Sequence, residues 1–313
     1  MQNSAINVDV NCIMTNILIS IVGPTAIGKT ALSIKLAQHF KTDIISADSR
    51  QFYKEMNIGT AVPSKEELNA ATHHFIQHKS IKQNYNVGDF ERDAISKIDQ
   101  IHKANQMVVM VGGSGLYVKA VTKGLDYFPE IDTNIRKELN NRLEKEGLVK
   151  LQKQLMSLDA LGYETIAIDN PQRVIRALEI CIGTSKPYSS FLTNPEKDRK
   201  FKTITIGLNA ERSIIYDRIN QRVDIMIENG LIEEVKTLIP YQHLNALNTV
   251  GYKELFEHYE VKSTLEFAVS EIKKNTRRFA KRQLTWFRKD ESINWFDYKT
   301  DIKEIIQFVE EQL

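Results

Sequence analysis

The stretch "IVGPTAIGKT", residues 21–30, decides the fold, because it joins an apolar run to a helical pattern through a glycine-containing loop. Its last eight residues match the pattern G-x-x-x-x-G-K-[ST] completely. Glycines let backbone N–H groups turn inward around phosphate oxygens, and the start of the following helix adds partial positive charge. We therefore predict a phosphate-binding loop made of Gly23, Pro24, Thr25, Ala26, Ile27, Gly28, Lys29 and Thr30.

Two side chains of this loop have predictable roles. Lys29 supplies a positive charge for the outermost phosphate, and the Thr30 hydroxyl can complete a Mg²⁺ coordination shell, so Mg²⁺ is the expected cofactor. The motif is typical of proteins that bind ATP or other nucleotides. The loop alone does not say which phosphate compound it holds, or which bond breaks.

Short apolar runs predict four strands that are buried on both faces of a sheet. They lie at residues 16–22, 43–47, 107–113 and 203–208. Because strands and helical patterns alternate, we predict an α/β fold with a doubly wound parallel sheet, like that of the P-loop NTPases.

The third and fourth strands are too far apart for a simple crossover. Residues 126–199, between them, have helical patterns broken by glycine and proline. We predict an all-helical insertion domain at 126–199 and a catalytic core made of 14–125 and 200–313. Residues 1–13 are expected to be a flexible tail.

Three further helices are predicted at residues 212–228, 231–238 and about 264–289. The last has an apolar stripe that includes Phe279 and Phe287, and it carries six cations with no acidic residue between Lys273 and Lys289. Such a row is either a solvated charged face or the contact surface of an anionic partner. The six cations are Lys273, Lys274, Arg277, Arg278, Lys281 and Arg282.

Composition limits the possible classes. The chain has 313 residues with a net charge of only +2, so a nucleic-acid site must come from clustered charge. Two cysteines are too few for a metal cluster or a disulfide framework. No apolar run approaches the ~18 residues of a membrane span, and the first residues lack the basic region of a signal peptide. We expect a cytoplasmic protein that does not enter a membrane.

Asp48 ends the second predicted strand, within "ADSRQFYKEMNIGT" at residues 47–60. Ligands of open parallel sheets collect beyond the carboxyl ends of the strands, so Asp48 should lie close to whatever the loop holds. Its carboxylate could coordinate Mg²⁺, cap the following helix or act as a general base. Position alone does not separate these three roles.

Six segments together resemble the tRNA dimethylallyltransferases. They are "GPTAIGKT", "ADSRQFYKEMNIGTAVPS", "VGGSGLY", "NPQRVIRALEI", "NTVGYKE" and "KRQLTWFRK", and they occur in the order found in that family. The resemblance spans about Ile17 to Lys289. It implies transfer of a dimethylallyl group from dimethylallyl diphosphate to N6 of adenosine 37 in tRNA. Diphosphate would leave, so a carbon–oxygen bond would break while phosphorus is untouched.

The resemblance also implies catalytic roles. Asp48 matches the base that takes a proton from N6, and Lys29 would stabilise the departing diphosphate. Arg222 matches an arginine that neutralises diphosphate, and Arg218, one turn earlier, is a weaker candidate for the same task. The family has Thr where this chain has Ser114, which keeps the hydroxyl donor for the bridging oxygen or the flipped base but loses the methyl group that fixes its rotamer.

Contacts with tRNA are implied for several segments, and the insertion is where the family recognises the anticodon stem-loop. The implied residues are Asp48, Ser49, Arg50, Gln51, Ser114, Arg136, Gln172, Arg173, Val174, Ile175, Arg176, Asn248, Thr249, Val250, Gly251, Tyr252, Lys253, Lys281, Arg282, Gln283, Leu284, Thr285, Trp286, Phe287 and Arg288. We expect the protein to act as a monomer on tRNA and dimethylallyl diphosphate.

Three other functions compete with this one. A P-loop kinase of a small metabolite or nucleoside would use ATP, with Asp48 as its base. A non-catalytic RNA-binding protein could keep a vestigial loop, although Lys29, Thr30 and Asp48 are all present. An adenylate isopentenyltransferase would prenylate a free nucleotide and would give the implied tRNA-contact segments nothing to bind.

Overall fold

The computed structural model describes residues 15–193 and 197–313, so the predicted tail lies outside the described residues. Within them six strands form one parallel sheet in the order β3-β2-β4-β1-β5-β6, which confirms the predicted fold class. The strands are β1 Ile17–Val22, β2 Ile44–Ser46, β3 His73–His74, β4 Met107–Val111, β5 Lys202–Asn209 and β6 Ile293–Asp297.

The described residues contain thirteen α-helices. They are α1 Lys29–Phe40, α2 Lys65–Ala70, α3 Val87–Ile101, α4 Gly115–Thr122, α5 Thr133–Glu146, α6 Leu148–Leu158, α7 Ala160–Thr165, α8 Pro171–Thr184, α9 Arg212–Glu228, α10 Leu231–Leu238, α11 Tyr252–Tyr259, α12 Leu265–Phe287 and α13 Ile302–Glu310. In the described ranges, every helix falls short of the combined length and apolar character that a membrane span requires.

Strand β1 lies at the centre of the sheet and is buried along its whole length. Leu18 and Val22 belong to the apolar cluster on one face, whereas Ile19 and Ile21 belong to the cluster on the other. Successive side chains of a strand point to opposite faces, so an uninterrupted apolar run is what a strand covered on both sides needs. The four predicted strands correspond to β1, β2, β4 and β5.

The two strands absent from the prediction are β3 and β6, which lie at the two edges of the sheet. Strand β3 has only two residues, both half-buried histidines. Strand β6 is buried only at Ile293 and is otherwise half-buried or exposed. Edge strands pack on fewer neighbours, so neither has the apolar run that marks a central strand.

The chain divides into two compact units. One comprises residues 15–122 and 199–313 and contains the sheet. The other comprises residues 123–198 and contains α5 to α8. The bounds predicted for this helical insertion were 126–199.

The helical unit has its own apolar core, which includes Leu139, Leu155, Val174 and Leu178. Asp159 precedes α7 and accepts hydrogen bonds from the Gly162 N–H and from both donors of Ser189. Burial disfavours the charged form of Asp159, but the bonds from Ser189 and Gly162 outweigh it and hold the pKa of the carboxyl below its usual value.

Candidate active site

The loop at residues 23–30 joins β1 to α1 and needs glycine at its first position. Gly23 has a φ of 142°, and a Cβ there would lie 2.6 Å from the carbonyl oxygen of Leu208 on β5. Gly28 has a φ of 111° and directly precedes α1. Because Gly28 has no side chain to cap the helix, the first N–H groups of α1 remain for a ligand.

Lys29 holds the loop in shape from within. Its ammonium donates to the carbonyl oxygens of Gly23, at 3.0 Å, and Pro24, at 2.7 Å. Burial lowers the pKa of Lys29 to about 8; the Asp48 carboxylate opposes this effect, and the Arg222 guanidinium adds to it. The loop lysine, the carboxylate and an arginine therefore interact in one place.

Helix α9 adds two arginines to the loop, one turn apart. Arg218 donates from Nε to the carbonyl oxygen of Ala26 at 2.7 Å, and Arg222 lies 3.5 Å from the Thr25 hydroxyl. Burial lowers the pKa of Arg222, while Asp48 and Glu67 oppose that shift. With Lys29, these side chains place three cations around the loop.

Two cavities meet at this point. The first, about 660 Å³, is lined by the loop from Thr25 to Ala31 together with Arg218, Arg222 and Glu67, and we call it the phosphate cavity. The second, about 520 Å³, is lined on one side by apolar side chains such as Val223 and Met226, and we call it the acceptor cavity. Four residues line both cavities: Thr25, Asp48, Thr60 and Arg222.

Asp48 follows β2 and lies at the junction of the two cavities. Its Oδ1 accepts the backbone N–H of Arg50 at 3.1 Å, which fixes the turn after the strand. Within residues 15–193 and 197–313, no protein group donates to its Oδ2. One oxygen thus has a capping role, and the other remains available to a further partner.

Ser114, just beyond β4, holds the segment that carries Asp48. Its hydroxyl accepts the Ser49 N–H at 3.2 Å and lies 3.1 Å from the Ser49 hydroxyl. Both serines line the acceptor cavity. Because the two segments follow neighbouring strands of the sheet, their end loops lie side by side.

Arg50 stabilises one wall of the acceptor cavity through hydrogen bonds. Its guanidinium donates to the carbonyl oxygens of Asn245, Ala246 and Asn248 at 3.0 to 3.3 Å. Arg50 was predicted to contact tRNA, but here it ties the segment before α11 to the turn after β2. Gln51 similarly donates to the carbonyl oxygens of residues 60 and 61.

A second wall is held by Glu234 of α10, which the sequence analysis did not single out. Its carboxylate accepts three consecutive backbone N–H groups, those of Asn57, Ile58 and Gly59, at 2.7 to 3.1 Å. It also accepts the Tyr252 hydroxyl at 2.7 Å. Burial, together with Glu234, raises the pKa of Tyr252 far above its usual value. Glu234 is one of several charged residues on α10, and no periodicity distinguishes it.

The predicted tRNA-contact segments divide by exposure. Their exposed members are Gln172, Arg173, Asn248, Lys253, Lys281, Arg282, Thr285, Trp286 and Arg288. Their buried members are Val174, Ile175, Gly251, Tyr252, Gln283 and Phe287. The side chains of Val174, Ile175, Tyr252 and Phe287 pack into the apolar cores, so direct contact with tRNA does not fit them. Gly251 and Gln283 instead line the acceptor cavity.

The row of cations on α12 is partly neutralised within the chain, so two of its members need no anionic partner. Lys273 pairs with Asp224 of α9, and Lys274 pairs with Glu271 at 2.8 Å. The end of α12 differs, because Lys281 and Arg282 are exposed. Phe279 was expected in the apolar stripe, but it is 39% exposed and lines the acceptor cavity.

In the helical unit, two predicted contact arginines share one carboxylate. Glu179 of α8, with its side chain only 7% exposed, accepts Nη1 of Arg136 at 3.0 Å and Nη1 of Arg176 at 2.9 Å. Arg136 also donates to the side chain of Gln172 at 3.2 Å. Both arginine side chains remain about 40% exposed, so each keeps donors that face solvent.

Comparison with known proteins shows which proteins this chain resembles. A family model described as IPP transferase matches residues 51–290. A tRNA dimethylallyltransferase of Christiangramia forsetii is 62% identical over 300 residues, which cover 96% of this chain and 99% of that protein. One from Flavobacterium johnsoniae is 60% identical, with 95% and 98% covered.

Solved structures give the same result. A tRNA isopentenylpyrophosphate transferase from Bacillus halodurans is 38% identical with a TM-score of 0.71, and 95% of this chain and 96% of that chain are covered. A eukaryotic dimethylallyltransferase acting on tRNA has a TM-score of 0.76 at 27% identity, with 95% and 77% covered. The chain belongs to the IPP transferase family.

Proposed function

We propose that this protein transfers a dimethylallyl group from dimethylallyl diphosphate to N6 of adenosine 37 in tRNA, with release of diphosphate. The observation that carries the proposal is the position of Asp48, which lines both the cation-rich phosphate cavity and the partly apolar acceptor cavity. The names of the relatives support it, since those at 60% and 62% identity are tRNA dimethylallyltransferases.

The phosphate cavity suits a diphosphate leaving group. Negative charge grows on the bridging oxygen as the carbon–oxygen bond lengthens, so fixed positive groups stabilise the transition state more than the bound substrate. Lys29, Arg218 and Arg222 supply that charge, together with the N–H groups at the start of α1. No attack on phosphorus is required of any of them.

A Mg²⁺ ion fits the oxygen donors of this cavity. The Thr30 hydroxyl and the Asp48 carboxylate both line it, and hydroxyl and carboxylate oxygens are preferred Mg²⁺ ligands. Thr30 would hold the ion, which would neutralise part of the charge on diphosphate. Asp48 is assigned instead to the acceptor, because it also lines the second cavity.

Asp48 acts as the general base. The exocyclic amine of adenine is a poor nucleophile, because its lone pair is delocalised into the ring, so removal of a proton helps as the N–C bond forms. Oδ1 is held by the Arg50 N–H, which leaves Oδ2 to accept the proton from N6. The apolar side of the acceptor cavity, with Val223 and Met226, shields the allylic carbon from water.

The adenosine enters the acceptor cavity from an unstacked anticodon loop. A base within a stacked loop cannot reach a buried carboxylate, so it must be extruded into a pocket. Phe279 and Trp286 line the cavity and are about 40% exposed, which suits stacking on nucleobases. In the helical unit, Arg136 and Arg176 contact the anticodon stem-loop. We infer that the protein acts as a monomer in the cytoplasm.

The test is direct. The protein is incubated with dimethylallyl diphosphate and unmodified tRNA, and the nucleosides are analysed by mass spectrometry. A C5 unit on adenosine 37 is expected. Formation of prenylated AMP without any tRNA product would favour an adenylate isopentenyltransferase. ATP-dependent phosphorylation with no prenyl adduct would favour a kinase, and either result would overturn the proposal.

A further inference from the structure

Gln283 is a buried polar residue on a helix face that is otherwise apolar. It lies on α12 between Ala280 and Phe287, which are 1% and 3% exposed, and is itself 7% exposed. These positions recur at the spacing of one helix face, so the Gln283 side chain points into the protein. Its immediate neighbour Arg282 is exposed.

The oxygen and the nitrogen of the Gln283 side-chain amide form hydrogen bonds with two different loops. Oε1 accepts the backbone N–H of Thr25, in the phosphate-binding loop, at 2.8 Å. Nε2 donates to the carbonyl oxygen of Gly113, beyond β4, at 2.9 Å. Gln283 is 258 positions from Thr25 and 170 positions from Gly113 in the chain, so its side chain joins three distant segments.

Gly113 leaves the space that the Gln283 amide occupies at the second loop. A Cβ at Gly113 would collide with Nε2 of Gln283. The residue after Gly113 is Ser114, which bonds to the segment that carries Asp48. Gln283 therefore sets the distance between the loop that would hold diphosphate and the segments that surround the acceptor.

We infer that Gln283 is a positioning residue that fixes the phosphate-binding loop for diphosphate, rather than a contact with tRNA. This inference rests on the proposed function. An apolar residue at 283 would leave the Thr25 N–H and the Gly113 carbonyl without this partner, and the loop would lose its fixed spacing. The predicted tRNA-contact segment of α12 thus has two faces with different tasks.

The test compares Gln283→Met, which keeps size and shape but removes both hydrogen bonds, with Lys281→Gln, which removes an exposed cation of the same segment. Calorimetry measures the affinity for inorganic diphosphate, and fluorescence anisotropy measures the affinity for tRNA. Gln283→Met should weaken diphosphate binding about tenfold and leave tRNA affinity within about twofold. Lys281→Gln should show the reverse pattern.

A second variant keeps the test open if Gln283→Met does not fold. Gly113→Ala should displace the Gln283 side chain from the opposite side and weaken diphosphate binding in the same way. Wild-type diphosphate affinity in the folded variants would overturn the inference, as would a loss of tRNA affinity that matches Lys281→Gln. If the wild-type protein does not bind diphosphate at all, the proposed function fails, and this inference fails with it.

Discussion

The backbone N–H of Arg50 lies 3.1 Å from Oδ1 of Asp48, so the carboxylate is oriented before any substrate arrives. A base with a fixed orientation needs no rearrangement when the acceptor enters. The same contact explains how one residue can cap a turn and still serve in catalysis, because the two tasks use different oxygens.

Asp48→Asn should lower kcat by about 10² to 10⁴ and change the KM values little. The amide oxygen can still accept the Arg50 N–H, so the turn survives, but no carboxylate remains to take the proton. Single-turnover assays with tRNA and dimethylallyl diphosphate measure the effect. The matched control is Asp43→Asn, at the other end of β2, where the carboxylate pairs with His74 at 2.8 Å outside both cavities. Equal losses in the two variants would contradict the assignment.

The affinity for diphosphate should fall as pH rises through about 8, because the pKa of Lys29 lies there in the free protein. Below this pH Lys29 is charged before and after binding. Above it, binding requires uptake of a proton, so affinity should fall by up to about tenfold per pH unit. Calorimetry between about pH 7 and about pH 9.5 measures this. Diphosphate itself also titrates, so Lys29→Met is the control, and an identical pH profile in both proteins would disprove the prediction.

Glu179→Gln should weaken the binding of an anticodon stem-loop RNA by about fivefold to tenfold, while kcat at saturating tRNA stays unchanged. The carboxylate holds Arg136 and Arg176 by charge-assisted bonds, which a neutral amide replaces poorly. Net charge alone gives the opposite expectation, because removal of an acid should tighten binding to RNA.

Fluorescence anisotropy distinguishes these two outcomes for Glu179→Gln. The matched control is Glu146→Gln on α5, which removes a more exposed acid that pairs with Arg142; its side chain is 31% exposed, against 7% for Glu179. If both variants bind RNA more tightly than the wild type, Glu179 has no positioning role.

Glu234→Gln should lower the free energy of unfolding by about 1 to 3 kcal/mol, because three backbone N–H groups and the Tyr252 hydroxyl lose a charged acceptor. Urea denaturation measures this loss. The KM for tRNA should also rise, since Gly59 and Thr60 line the acceptor cavity. Glu233→Gln, at an exposed neighbour on α10, is the control. Stability equal to that of this control would show that the bonds contribute nothing.

Much of the fold could be predicted because its signals are local. Strand β1 is an apolar run followed by a loop whose glycines have defined backbone roles, so position, direction and ligand chemistry all follow from one segment. Helix α9 was predicted with its observed bounds, 212–228. Asp48 could be found for the same reason, since it directly follows a buried strand.

The supports of the site could not be predicted in this way. Gln283 and Glu234 are polar side chains that satisfy backbone groups of segments far away in the chain. A hydrophobic pattern cannot reveal such bonds, because it reports only which face of an element is buried. In the sequence, position 283 belongs to a cationic segment implied to contact tRNA, and only the direction of its side chain shows that it faces the interior. Strand β3 could not be predicted for a related reason, because two histidines at a sheet edge form no apolar run.

The bonds from Lys29 to Gly23 and Pro24 shape the glycine loop from within the protein. A loop with this fixed shape binds the phosphate groups in the same way whatever reaction the rest of the ligand undergoes. The reaction that follows is then determined by the Asp48 carboxylate and the acceptor cavity beyond it. Evolution can therefore conserve the phosphate-binding loop and change the reaction by altering only the residues of the adjacent cavity.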